Sequence, residues 1–184
     1  MNDSNAKKSE TRSSEIYYST LQICGFAFLL LAGYGLIRPA SESIFLERFG
    51  SDYLPYAWIS VAGCAGIVVS IYSRFAKHYS LATVLATNAL INAALLVVLA
   101  LLQKQGSDAA TFVLYVWKDV YIVVLLENVW SWASVIFKLS AARWAYGAFC
   151  ACGSAGSVFG NLFAGTLASY IGSEYALLGA VPFF

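Results

Sequence analysis

The hydrophobic residues of this chain lie in long blocks that short polar segments separate. Each residue of a helix rises about 1.5 Å, so about 20 mainly apolar residues are needed to cross a hydrocarbon core of about 30 Å. Five blocks reach this length, so each predicts a membrane-spanning helix. They cover residues 17–37, 53–73, 80–102, 110–137 and 145–171.

The length and pattern of the blocks exclude a transmembrane barrel. Barrel strands are about 10 residues long and alternate apolar with polar positions, whereas these blocks are about twice as long and apolar on every face. A sixth block, 175–184, is too short to span a bilayer. We therefore predict an all-α, polytopic membrane helical bundle with five helices and the start of a sixth. We expect either a sequence cut off within helix six or a re-entrant last segment.

The polar segments indicate the orientation of the bundle. Residues 1–16 form a polar tail, and the block after it is too long for a signal peptide and lacks a small-residue cleavage site. Seven of the eleven Lys and Arg residues lie in this tail and in segments 74–79 and 138–144, and three lie on the opposite side. Because cytoplasmic loops carry the excess of Lys and Arg, we expect a cytoplasmic N-terminus.

Composition supports this class. The chain has 184 residues, 60% of them hydrophobic and 11% charged, with a mean hydropathy of +0.69 and a net charge of +1. Soluble domains carry about 25% charged residues. These values exclude a soluble enzyme domain and a disordered chain. They also exclude a nucleic-acid binder, because the chain offers no basic surface for phosphates.

The fourth block carries charges at membrane depth. Charged groups there usually face a bundle interior or a water-filled cavity. One polar stripe spans about 60° of the helix at about 100° per residue, and it comprises Glu127, Ser131, Ser134 and Lys138. Glu127 is predicted to be a functional carboxylate facing a cavity. Asp119 lies about 80° to one side and Lys118 about opposite, so these two either serve the cavity or pair locally near the lipid headgroups.

Polar pairs also occur at helical spacing in the first and third blocks. Arg38 and Glu42 are four residues apart and share a face at the expected end of helix one, where Pro39 can kink the chain. A snorkelling arginine would give the same pattern. Asn88 and Asn92 share a face of helix three and either line a cavity or bond a neighbouring helix.

The fifth block is predicted to be a packing element. Its small residues repeat every four positions, which lets helix backbones approach closely in lipid. One stripe comprises Gly156, Gly160, Ala164 and Ala168, and the next comprises Gly153, Ser157, Asn161 and Gly165. No strand precedes these glycines and no Gly-Lys-Ser or Gly-Lys-Thr follows them, so they do not form a nucleotide-binding loop.

Cysteine and histidine usage indicates neither a metal site nor an enzyme. The four cysteines all fall within predicted spans and are interpreted as small packing residues: Cys24, Cys64, Cys150 and Cys152. The single histidine, His78, lies in a short loop. No nucleophile–base pair or metal cluster is evident, so we expect no cofactor and no enzymatic activity.

Three segments resemble ATP:ADP antiporter-type nucleotide transporters. They are 33–55 (GYGLIRPASESIFLERFGSDYLP), 127–134 (ENVWSWAS) and 137–147 (FKLSAARWAYG). The family has a major facilitator-like fold of twelve helices in two halves. The resemblance implies that this chain is most of the N-terminal half and that a C-terminal half is its missing partner.

The resemblance also implies roles for individual residues. Arg38 would contact substrate phosphates in a central cavity, and Glu127 would be a cavity carboxylate used in exchange or gating. Arg143, and with it Lys138, would belong to the cytoplasmic helix 4–5 connection. The family match departs at Ala142, where a second basic residue is usual.

The expected function is therefore that of a transporter half in a bacterial cytoplasmic membrane. It would exchange a small anionic metabolite, such as ATP/ADP or another nucleotide, by alternating access. The alternative is a transport-inactive scaffold or regulatory protein that uses the same bundle. The predicted substrate-binding residues are Arg38, Glu42, Asn88, Asn92, Lys118, Asp119 and Glu127.

Overall fold

The computed structural model describes the backbone of residues 3–136, 139–172, 177 and 179–180. Five helices are present, and the described residues contain no strand. The helices are α1 (Asp3–Phe49), α2 (Leu54–Ala76), α3 (Leu81–Lys104), α4 (Asp108–Ile136) and α5 (Leu139–Ile171). All five are long and apolar enough to cross a membrane. The predicted all-α membrane bundle is therefore confirmed.

The first helix is longer at both ends than its apolar block. Its membrane-crossing part, Tyr17–Phe49, begins where the sequence places it. The helix starts at Asp3, within the polar tail, and continues beyond the expected end at residue 37. Pro39 removes one backbone hydrogen bond. A helix in lipid tolerates this loss, since unwinding would leave more backbone groups unbonded. Arg38 and Glu42 therefore lie inside the span instead of at its mouth.

Glycines and one arginine close the ends of neighbouring helices. Gly50 has φ 76° and turns the chain out of α1 into a short 3₁₀ turn, Ser51–Tyr53. Gly106, with φ 84°, does the same between α3 and α4. The Arg48 side chain donates hydrogen bonds to the Gly106 carbonyl and the Asp108 carboxylate. These bonds tie the end of α1 to the α3–α4 turn.

Helix α4 packs against α1, α2 and α3, whereas α5 packs against α1. The main core lies between α1, α4 and α5 and includes Leu36, Leu125 and Phe149. Helix α2 is largely uncovered, and its Ile67 and Ile71 side chains are exposed. The apolar outer face of α2 is suited to lipid or to further protein.

Helices α1 and α5 touch through their backbones. A Cβ atom added to Gly156 would lie 2.2 Å from the Phe28 carbonyl oxygen, and one added to Gly160 would lie 2.1 Å from that of Ala32. Both pairs have the same offset of 128 residues (156 minus 28 and 160 minus 32), so the two helices run parallel. Gly35, one turn further, would bring a Cβ to 2.7 Å from the Ser157 carbonyl oxygen.

The other two predicted packing positions also lie toward α1 or the core. A Cβ on Gly153 would reach within 2.5 Å of Leu31 Cδ1, and Ala164 is 2% exposed. By contrast, Gly165 of the second stripe faces open space. The contact face of α5 therefore includes the first stripe and the N-terminal part of the second.

Candidate functional site

Four charged side chains meet between α1 and α4, with a buried lysine at their centre. Lys118 is 1% exposed, and its Nζ lies 3.0 Å from both carboxylate oxygens of Asp119. The same Nζ lies 3.6 Å from Glu42 Oε1 on α1. It also sits 4.2 Å above the centre of the Tyr115 ring. The ammonium group is therefore compensated by two carboxylates and an aromatic face.

For Lys118 and Asp119 the sequence left two interpretations open, a role in the cavity or a local ion pair, and the structure shows features of both. They do form a local pair on α4, and the pair also contacts Glu42 of α1. A buried charge without a partner costs several kcal/mol in a protein interior. The contact with Glu42 places the pair at the helix interface, where such charges are tolerated.

Arg38 is the exposed cation of the cluster. Its Nε donates to Glu42 Oε1 at 3.2 Å, and its side chain is 56% exposed. Its two Nη atoms have no hydrogen-bond partner within the part of the chain that the structure describes. Arginine presents a planar fork that suits carboxylate and phosphate groups. One edge of the Arg38 fork is thus held by Glu42, and the other is open to a ligand.

These groups line a cavity of about 360 Å³ between α1, α2 and α4. The cavity combines the four charges with aromatic and aliphatic walls. Its residues are Tyr34, Arg38, Glu42, Leu46, Leu54, Trp58, Tyr115, Lys118 and Asp119. The two cations and two carboxylates balance, so the four charges sum to zero.

Sequence reasoning missed the aromatic members of this cavity. Tyr34 donates from its hydroxyl to Asp119 Oδ1 at 3.1 Å. It lies four residues before Arg38, so the helical spacing that linked Arg38 to Glu42 also predicts Tyr34 on that face. Trp58 and Tyr115 carried no comparable signal, because aromatic residues are common throughout these spans.

Glu127 lies apart from this cavity. It is exposed, and it follows Asp119 by eight residues, which is about 12 Å along a helix axis. It lies near Tyr72 of α2, with which it interacts electrostatically. The structure therefore does not bring Glu127 together with Arg38, although the sequence assigned both to the substrate-binding set.

The buried polar group at this level is instead Asn128, which the sequence analysis did not select. Asn128 is 0% exposed. Its Oδ1 accepts from the Tyr72 hydroxyl at 2.7 Å, and its Nδ2 donates to the Val124 carbonyl at 2.9 Å. The sequence did contain a signal for Asn128, because a polar residue directly after the charged Glu127 is unusual in an apolar block.

Of the two asparagines of α3, Asn92 joins α3 to α4 and Asn88 bonds to Asn92; neither is among the cavity residues. Asn92 is 8% exposed and its Oδ1 accepts from Trp117 Nε1 on α4 at 3.0 Å. Its Nδ2 donates to the backbone and side-chain oxygens of Asn88, both at 2.7 Å. Of the two uses that the sequence left open, the structure shows the bond to a neighbouring helix.

The helix 4–5 connection contributes nothing further to the described site. Lys138 lies outside the described residues, and so does the side chain of Arg143. Ser131 and Ser134 of the Glu127 stripe are described, and the Ser134 hydroxyl donates to the Ser131 carbonyl at 2.8 Å. No group of three His, Cys, Asp or Glu side chains able to hold a metal occurs among the described residues.

The fold and site together define a multi-pass integral membrane protein with a charged cavity inside its helical bundle. Comparisons with protein-family models, with curated proteins and with solved structures find no match for this chain.

Proposed function

We propose that this chain is the N-terminal half of a secondary transporter that moves an anionic metabolite, such as a nucleotide, by alternating access. The observation that carries the proposal is the Arg38 guanidinium, which lies inside a membrane span and whose Nη atoms bond to none of the residues that the structure describes. Charges inside membrane spans mark substrate and ion pathways. An anion is the ligand that this open arginine edge would bind best.

Glu42 supplies a way to bind and release the substrate. Glu42 Oε1 lies 3.2 Å from Arg38 Nε. An incoming anion would compete with Glu42 for the guanidinium, and Lys118, 3.6 Å away, would keep Glu42 compensated. Substrate departure would restore the Arg38–Glu42 pair. Binding is therefore an exchange of partners, which keeps the cavity from holding its substrate too tightly.

The walls of the cavity favour an organic anion over a bare inorganic one. Trp58, Tyr34 and Tyr115 line it together with two leucines. Aromatic faces provide apolar contact area next to polar groups. A ligand with an anionic end and a flat, apolar portion would use both features, as a nucleotide does.

We further propose a cytoplasmic N-terminus in a bacterial cytoplasmic membrane, in keeping with the distribution of Lys and Arg. Since Arg38 belongs to the α1 span, the connections proposed on the outer side of the membrane retain two Lys or Arg residues, Arg48 and Lys104. In this orientation the Arg38 cavity lies nearer the outer surface and Glu127 nearer the cytoplasm, where Glu127 would act in gating rather than in first contact with substrate.

The test is uptake of labelled ADP, and separately of inorganic phosphate, by proteoliposomes that contain the full-length protein. Arg38→Ala should abolish uptake, while Arg74→Ala, an exposed cation near the end of α2, should leave it unchanged. Each variant is first checked for a wild-type elution profile in detergent. Wild-type uptake by Arg38→Ala would overturn the cavity assignment.

The alternative is a transport-inactive membrane scaffold or regulatory protein. The zero net charge of the cluster favours it, since four balanced charges could serve only to fasten α1 to α4. In that case the wild-type protein would take up none of the tested anions, and Arg38→Ala would change only its stability.

A further inference from the structure

Two cysteines that are far apart in the sequence face each other across the α1–α5 interface. Phe28 opposes Gly156 and Ala32 opposes Gly160, each with an offset of 128 residues. One turn earlier on each helix, the same offset places Cys24 opposite Cys152. The register of the glycine contacts therefore brings the two thiols to one point of the bundle.

The contacts at this point agree with the register. The Cys24 and Cys152 side chains are near enough to interact with each other. Cys24 belongs to the buried core, and Cys152 packs against that core while remaining partly exposed. The backbones around them are close, because the next turn is a glycine contact. Disulfides require Cα atoms about 4.4–6.8 Å apart, and closely packed parallel helices provide such separations.

We propose that Cys24 and Cys152 are a redox pair, which a hydroperoxide converts into a disulfide that fastens α1 to α5. Cys152 is the more exposed and reacts first. Its sulfur attacks the peroxide oxygen, which gives a sulfenic acid and releases an alcohol (water, for hydrogen peroxide). The Cys24 sulfur then displaces water from the Cys152 sulfur. In sum, two thiols and one peroxide give one disulfide, one alcohol and one water.

The disulfide would hold together the two helices that meet most closely. Helix α1 carries Tyr34, Arg38 and Glu42, so a covalent bond to α5 would restrain the helix that bears half of the charged cluster. The bond would also enclose α2, α3 and α4 within one covalent loop. The proposal stands on the helix register and is independent of any transport activity.

The two other cysteines serve as controls for the specificity of the disulfide, because both are exposed and neither is placed opposite Cys24. Cys150 precedes Cys152 by only two residues but points to another side of α5, and Cys64 lies on α2. The full-length protein in detergent micelles is treated with hydrogen peroxide, quenched, denatured and labelled with a maleimide that adds a resolvable mass per thiol. Peptide mass spectrometry then identifies the linked residues.

We expect the number of labelled thiols among these four cysteines to fall from four to two and a Cys24–Cys152 peptide to appear. In Cys24→Ala the Cys152 sulfenic acid should persist and be trapped by dimedone, whereas in Cys152→Ala, Cys24 should stay reduced. Cys150→Ala should oxidise as the wild type does. Four labelled thiols after peroxide treatment would overturn the proposal. A cross-link that involves Cys150 or appears only after denaturation would also overturn it.

Discussion

The Tyr34 hydroxyl of α1 donates a hydrogen bond to the Asp119 carboxylate of α4 at 3.1 Å. Two further bonds of this kind tie α4 to its other neighbours. Tyr72 of α2 donates to Asn128 at 2.7 Å, and Trp117 of α4 donates to Asn92 of α3 at 3.0 Å.

In each bond an aromatic side chain supplies the donor and an Asp or Asn supplies the acceptor. Such side chains combine an apolar body with one polar tip. A single bond then satisfies the tip without exposing other polar atoms to lipid. Among the described residues, a hydrogen bond from an aromatic side chain thus joins α4 to each of α1, α2 and α3, in addition to its charged contacts.

The Tyr72–Asn128 bond should contribute measurably to stability. Asn128→Val removes the Oδ1 acceptor of the Tyr72 hydroxyl, which should lower the free energy of unfolding by about 1–2 kcal/mol. A double-mutant cycle with Tyr72→Phe should show a coupling of about 0.6 kcal/mol, measured by denaturation in mixed micelles. Asn161→Ala is the control, since the exposed Asn161 bonds only within α5. Additive effects of the Tyr72 and Asn128 substitutions would show that the bond contributes nothing.

Removal of the buried ammonium should be more harmful than removal of an exposed charge. Lys118→Met leaves Asp119 and Glu42 without their shared cation and should destabilise the protein by about 3–5 kcal/mol. The double variant Lys118→Met/Asp119→Asn should recover much of this loss, because it also removes the carboxylate that has lost its ion-pair partner. Arg48→Met, which breaks the exposed pair with Asp108, should cost under about 1 kcal/mol. Equal destabilisation by Lys118→Met and Arg48→Met in thermal unfolding would contradict the burial of Lys118.

The glycine contacts predict opposite effects of the same substitution along one helix. Gly160→Ala places a Cβ about 2.1 Å from the Ala32 carbonyl oxygen, so it must separate α1 from α5 and should destabilise by about 1–3 kcal/mol. Gly165→Ala meets no atom within 4 Å and should be neutral or stabilising by up to about 1 kcal/mol. Both are measured by thermal unfolding in the same detergent. A neutral Gly160→Ala would mean that the helices are not in backbone contact.

Neutralising Glu42 should strengthen anion binding if the proposed exchange of partners is correct. Glu42→Gln removes the carboxylate that competes with substrate for Arg38 and leaves the cluster with one excess positive charge. We expect about 10-fold tighter ADP binding, which corresponds to about 1.4 kcal/mol, with a steeper salt dependence. Glu47→Gln, an exposed carboxylate on the same helix, is the control. Weaker binding by Glu42→Gln in calorimetry would show that Glu42 positions the substrate and does not compete with it.

The sequence indicated which residues share a face of one helix, but it did not indicate which residues of different helices are in contact. Helical spacing placed Arg38 and Glu42 on one face, and the structure shows them in contact. The same spacing placed Lys118 opposite Glu127 but could not indicate what either residue faces. Only the packing of α1 on α4 shows that Lys118 reaches Glu42 and that Glu127 lies elsewhere.

The amino-acid sequence by itself determined that the described part of this chain forms five helices long and apolar enough to cross a membrane. In lipid every backbone polar group must be bonded within its own segment, so an apolar block about 20 residues long leaves one structural solution. Tertiary structure decided which polar groups meet, including the Lys118 cluster and the Cys24–Cys152 pair. The rotation and shift of one helix against another depend on where backbones approach closely, as at Gly156 and Gly160. No periodicity within a single helix contains that information.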